Sequence, residues 1–129
     1  MKTIHQHYTV NAPIALVWQA LVNPKVIDQW GGGPAKMSEK KEKFTLWGGD
    51  IWGTNMEVIK EEKLVQLWHD DRENDGMVVT FALERQGEKT KLTLTHENVP
   101  EKKFDSIDSG WKDYYLGPLK KLIEQQTTE

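Results

Sequence analysis

Apolar residues recur along the chain at two intervals. In "KTIHQHYTV", Ile4, Tyr8 and Val10 share one face with Gln6, while Thr3, His5, His7 and Thr9 share the other. This period of two predicts a first strand. The period then lengthens. Leu16, Val17, Ala20 and Leu21 stand at helical spacing in "IALVWQAL", with Asn11 placed as a cap, Pro13 suited to the first turn and Asn23-Pro24 as a stop. A second short helix, "KVIDQW", puts Val26, Ile27 and Trp30 on one side. Gly31-Gly32-Gly33-Pro34 breaks the pattern and reads as a flexible connection beside Trp30.

From Ala35 to Val99 the pattern is that of strands and turns. Phe44, Leu46 and Gly48 alternate with Thr45, Trp47 and Gly49, and Gly48-Gly49-Asp50 predicts a reversal. Trp52, Thr54, Met56 and Val58 share a face in the next strand. By this alternation Trp52 and Met56 point inward, and Trp47, opposite Phe44 and Leu46, points outward near a rim. After a charged turn at residues 60–63, Leu64, Gln66 and Trp68 alternate with Val65, Leu67 and His69. "DDREND" reads as a loop. Met77, Val79, Phe81 and Leu83 form a regular period-two face, Gln86-Gly87-Glu88 turns the chain, and Leu92, Leu94 and His96 face inward on the last strand. Five or six strands with short turns predict one antiparallel meander.

Beyond Pro100, Phe104, Ile107, Trp111, Tyr114, Tyr115, Leu119, Leu122 and Ile123 recur at helical spacing to near the end of the chain. Gly117-Pro118 predicts a kink in this helix, because proline removes a backbone donor. The expected class is α+β. A curved antiparallel sheet needs its apolar face covered, the long helix is the element large enough to cover it, and a cavity is expected where the two fail to close.

Composition narrows the function. One domain over residues 1–129 is the prior for this length. The chain has no cysteine, so a disulfide scaffold, a thiol nucleophile and cysteine-ligated zinc are excluded. Charge is −3 with both signs interspersed, and the one basic cluster, "EKKEK", is diluted by two glutamates. Nucleic acid is therefore not an expected partner. No apolar run spans a bilayer, and Met1 to Val10 is polar and alternating rather than a signal peptide, so membrane insertion is not expected and a cytoplasmic protein is.

Four words of the sequence carry a resemblance. Ala12-Pro13 followed by "VWQAL", Pro24 and Trp30; "LVQLW" at Leu64 to Trp68; "LTLTH" at Leu92 to His96; and "GWKDYYLGPLKKLIE" at Gly110 to Glu124 stand in the order and positions of one family. The chain resembles homologues of the activator of the Hsp90 chaperone ATPase, a branch of the START-like (SRPBCC) superfamily. The resemblance implies the helix-grip fold, a curved antiparallel sheet wrapped around a long C-terminal helix with two short helices after the first strand. It also implies a stand-alone small domain. The eukaryotic activator carries an additional N-terminal domain that engages the chaperone, for which 129 residues leave no room. The fold hosts carriers, cyclases and chaperone cofactors alike, so the site must decide the function.

The candidate chemistry is aromatic rather than catalytic. His5 and His7 share a strand face, but the sequence names no third metal ligand, so no metal site is assigned. His69-Asp70-Asp71 precedes a charged loop, where such groups are usually solvated. There is no nucleophile elbow and no phosphate-cradling loop, and no cofactor is called for. Trp18 lies about 100° from the Val17/Leu21 stripe, an angle that leaves it half exposed. The remaining signal is the set Trp30, Trp52, Met56, Met77, Phe81, Trp111 and Tyr115 as apolar walls of a cavity, with Tyr114 and His96 as its polar anchors. The leading expectation is non-enzymatic binding of a small apolar or aromatic ligand, weakly acidic ones included. The alternative is a chaperone-cofactor-like interaction module with an exposed patch including Trp18 or Trp47. An enzyme of the cyclase or aromatase kind, using His96, Tyr114 and Gln66, ranks third.

Overall fold

The structure, a computed structural model, describes residues 1–69 and 76–127. Six strands form one antiparallel sheet: β1 (Lys2–Val10), β2 (Lys43–Leu46), β3 (Ile51–Ile59), β4 (Lys63–His69), β5 (Met77–Gln86) and β6 (Lys89–Val99). Their order across the sheet is β1-β6-β5-β4-β3-β2. The last five strands are a meander, and β1 closes the far edge beside β6. Helices α1 (Ile14–Val22) and α2 (Pro24–Trp30) follow β1. The C-terminal helical segment runs through α3 (Phe104–Gly110), a π-helical stretch (Trp111–Leu116) and α4 (Gly117–Thr127). This is the helix-grip arrangement that the resemblance implied.

The inward faces follow the alternation. Ile4 and Val10 of β1, Leu64, Gln66 and Trp68 of β4, Met77, Val79, Phe81 and Leu83 of β5, and Leu92, Leu94 and His96 of β6 are all buried. From the helices, Val17, Leu21, Ile27, Trp111, Tyr115, Leu119 and Ile123 meet them. A further tie joins β1 to α3: Gln6 Nε2 donates to the Asp108 carbonyl and to its Oδ1, both at 2.8 Å.

Strand β3 departs from the expected reading. Its inward face is Gly53 and Asn55, both buried, and not Trp52 and Met56, which are 38% and 49% exposed. Gly53 pairs with Phe44 on one side and Trp68 on the other, two inward residues, and this register fixes the face. A Cβ at Gly53 would collide with the Leu67 carbonyl oxygen and press on the Phe44 ring, so the inward position is filled by its neighbours rather than by its own side chain. A bulge between Asn55 and Glu57 then shifts the register further along the strand.

Three smaller expectations are corrected. Trp18 is fully buried, at 0% exposure, because the connection before β2 covers it and Glu39 Oε1 accepts its indole N–H at 2.6 Å. Helix α1 takes Pro13 as its cap, with no side-chain cap bond, and the Asn11 N–H instead donates to Glu124 Oε2 at 2.8 Å. The glycine run is packed at Gly32 rather than open throughout. Gly31 ends α2 in the left-handed conformation (φ 106°), and Gly32 is buried where a Cβ would strike the Trp30 ring at 2.6 Å.

The kink expected at Gly117-Pro118 takes the form of the π-helical stretch. The Gly117 N–H donates to the carbonyl of Lys112, five residues back, and a Cβ there would collide with that same oxygen. Pro118 has no N–H to donate, so the widened turn falls where a backbone bond is lost in any case.

Candidate ligand pocket

A pocket of about 330 Å³ opens between the C-terminal helix and the ends of β3, β4 and β5. It is built from three directions. The first is the turn after β2. Strand alternation stops at Leu46, and the next three residues take positive φ: Trp47 at 49°, Gly48 at 65° and Gly49 at 104°. Two bonds to the glycine-rich connection hold this turn: the Trp47 N–H to the Gly32 carbonyl at 2.7 Å, and the Gly48 N–H to the Pro34 carbonyl at 2.9 Å. The left-handed backbone swings the Trp47 indole inward, edge-on to Trp30 (6.3 Å, 78°) and to Tyr115 (6.0 Å, 75°). Asp50 and Ile51 follow at the rim.

The second wall is the sheet. Trp68 and Met77 face each other across β4 and β5. The Trp68 indole is set by a buried polar chain. Asn55 Nδ2 donates to the carbonyls of Ser38 and Lys40, both at 3.1 Å. Gln66 Nε2 donates to Asn55 Oδ1 at 2.9 Å, and Trp68 Nε1 donates to Gln66 Oε1 at 2.7 Å.

The third wall is the π-helical stretch, which presents Trp111, Tyr114 and Tyr115, with Ile107 and Gly110 one turn earlier. Trp111 Nε1 donates to His96 Nδ1 at 2.9 Å. An indole N–H only donates, so Nδ1 is the acceptor and the proton of the neutral imidazole sits on Nε2, 3.2 Å from Met77 Sδ. Tyr115 packs among Trp30 (4.5 Å), Trp111 (4.8 Å) and Phe81 (5.6 Å). It is 1% exposed, and its hydroxyl has no hydrogen-bond partner among the described residues. Burial pushes its phenol well above the ordinary value of 10.0, so the group stays protonated.

The structure brings Met77, His96, Trp111, Tyr114 and Tyr115 to the pocket. Trp30 and Phe81 stand behind the wall, supporting Tyr115. Trp52 and Met56 are on the opposite face of the sheet, where Trp52 stacks on His69 (5.9 Å, 20°). The expected division of the two tryptophans is thus reversed: Trp47 borders the pocket and Trp52 faces outward. Asp50, Ile51, Trp68, Ile107 and Gly110, with Trp47, which was expected to face outward, complete the lining without having been named for a cavity. Trp68 was within reach, since it shares the inward face of Leu64 and Gln66. Trp47 was not, because its position depends on a left-handed turn.

His5 and His7 lie on the exposed face of β1, and among the described residues no three His, Asp or Glu side chains are grouped to hold a metal ion. Asp70 and Asp71, suggested beside His69, lie outside the described residues. No helix among the described residues is long and apolar enough to cross a membrane.

Fold and sequence together place the chain. Residues 11–124 match the family described as activator of Hsp90 ATPase homolog 1-like protein, and the chain belongs to that family. The activator of 90 kDa heat shock protein ATPase homolog of Dictyostelium discoideum is 29% identical over 87 residues, covering 64% of this chain and 22% of that protein. The Hsp90 co-chaperone AHA1 of Saccharomyces cerevisiae is 25% identical over 129 residues, covering 92% of this chain and 36% of that protein. The chain therefore spans about a fifth to a third of the length of these relatives. The crystal structure of an HSP90 activator from Plasmodium falciparum superposes with a TM-score of 0.84 at 24% identity, over 95% of this chain and 96% of that one.

Proposed function

We propose that this chain is a non-enzymatic binding domain that holds a small, largely apolar molecule in the pocket between its C-terminal helix and the ends of β3–β5. The observation that carries the reading is the lining of that pocket, largely apolar and aromatic, with Trp47, Ile51, Trp68, Met77, Trp111 and Tyr115 around it. The pocket volume of about 330 Å³ falls in the range of small-molecule sites, roughly 300–1,000 Å³. Native mass spectrometry of freshly purified protein, with tryptophan emission titrated against a panel of small aromatic and aliphatic compounds, tests it. A bound mass or saturable quenching is expected; neither across the whole panel would reject the reading.

A second reading, a chaperone-cofactor module, is favoured by a separate observation. Trp52, Met56 and Ile59 lie exposed on β3, and family relatives carry names that attach them to the Hsp90 ATPase. The interaction patch would be this outward stripe, since Trp18 is buried and Trp47 faces the pocket. Titrating the chain into an Hsp90 ATPase assay tests it, and an unresponsive rate counts against it.

A further inference from the structure

We infer that the ligand is a cation: an amine or quaternary ammonium carried on an apolar or aromatic body. The inference rests on the pocket reading above and deepens it. What a pocket selects depends on which of its polar groups are still available. Here two of the three lining indole donors, those of Trp68 and Trp111, are spent. Trp68 Nε1 is engaged by Gln66 and Trp111 Nε1 by His96, while Trp30 behind the wall donates to the Ala20 carbonyl at 2.9 Å. The rings remain. Trp47, Trp68, Trp111, Tyr114 and Tyr115 all border the space, in pairs inclined from 34° (Trp68–Trp111) to 75° (Trp47–Tyr115). Rings meeting at such varied angles surround a ligand from several sides, as in the aromatic cages that recognise quaternary ammonium groups.

Charge points the same way. Among the described residues the lining includes one carboxylate, Asp50, and no lysine or arginine. Asp50 is exposed at the rim, held in the turn that places Trp47, with its N–H on the Trp47 carbonyl at 3.3 Å. A carboxylate or sulfonate ligand would find repulsion from Asp50 and, among the described residues of the lining, no counter-ion. An ammonium would find Asp50 at the mouth and aromatic faces within. This narrows the apolar or aromatic ligand expected from sequence to a cationic one.

The test compares three probes of nearly one shape: 3-hydroxyphenyl-trimethylammonium, its neutral carbon isostere 3-tert-butylphenol, and 3-hydroxybenzoate. Binding is read by calorimetry and by the indole N–H resonances in a two-dimensional NMR spectrum. The ammonium is expected to bind about tenfold more tightly than the neutral isostere, and the benzoate more weakly than either. Asp50→Asn should weaken the ammonium about threefold and leave 3-tert-butylphenol unchanged. Trp47→Leu should reduce the preference further. If the neutral isostere binds as well as the ammonium, the cation assignment falls while the pocket reading stands. If none of the three moves a pocket indole, the pocket reading falls and takes the assignment with it. An ammonium preference that survives both substitutions places the cation elsewhere and overturns the assignment.

Discussion

Tyr115 and Gln66 are both buried and polar, and they predict opposite outcomes when made apolar. The Tyr115 hydroxyl has no partner among the described residues. Tyr115→Phe should therefore stabilise the unliganded protein, by roughly 1 kcal/mol in urea unfolding. A loss on the order of 2 kcal/mol would mean that the hydroxyl is satisfied. The same variant should change alkaline behaviour. The unfolded phenol ionises near its ordinary value of 10.0, whereas the folded one is held protonated to higher pH. Stability is thus fully present below pH about 10 and falls as pH rises above it, because the unfolded state then binds fewer protons than the native state. Tyr8 adds to this fall, its phenol raised by burial and then by the Asp108 and Asp113 carboxylates. Tyr115→Phe should flatten the decline without abolishing it. Gln66 stands in the middle of a satisfied chain from Asn55 to Trp68. Gln66→Leu strands the Trp68 N–H and the Asn55 carbonyl oxygen, at about 1–3 kcal/mol for each. Equal stability of Gln66→Leu and the parent would show that the chain contributes nothing. Tyr115 and Trp111 could be placed at the site from helical spacing together with the fold that the resemblance implies. Trp47 and Trp52 could not, since a left-handed turn lies between them and period-two counting does not carry across it.

Among the elements, β3 and the π-helical stretch set the limit of what the sequence reveals. Binary patterning assigns the apolar face of a strand to the core. In β3 the apolar face is the outer one, because the inward positions are Gly53, too crowded for any side chain, and Asn55, bonded to the connection that covers it. Strands β5 and β6 present no such conflict, and their faces were legible. The π-helical stretch left a trace, Gly117-Pro118, but the trace specified an interruption and not its kind. It depends on the missing Cβ of Gly117, whose φ of −63° is ordinary for any residue. The constraint is purely one of space against the Lys112 carbonyl. Gly117→Ala should cost on the order of 2 kcal/mol and alter the near-ultraviolet dichroism of the Trp111 and Tyr115 pair. Unchanged stability would mean that the stretch rewinds freely as an α-helix.

Across the whole molecule, the two proposed binding sites fall on opposite faces of the sheet. The inner face and the helix enclose the pocket; the outer face of β3 carries Trp52 and Met56. Substituting Trp52 and Met56 together by glutamate should leave stability within about 0.5 kcal/mol, since both are exposed surface positions. It should abolish any response of an Hsp90 ATPase while leaving small-molecule titrations of the pocket unaltered. Loss of ligand binding in that variant would mean that the two faces are not independent.

The position of β1 has a consequence for how the chain reaches this state. Lys2 pairs with Val99 and Val10 with Thr90, so the strand made first finds its sole neighbour in the strand made last. The meander from β2 to β6 can form by local reversals, but β1 must wait until residue 99 is available. Its closure is the most non-local step in the sheet and is expected to come late and slowly. Until then the Leu92 and Leu94 strand presents an open edge of unpaired backbone. That edge is the place where two nascent chains would exchange first strands or begin to aggregate.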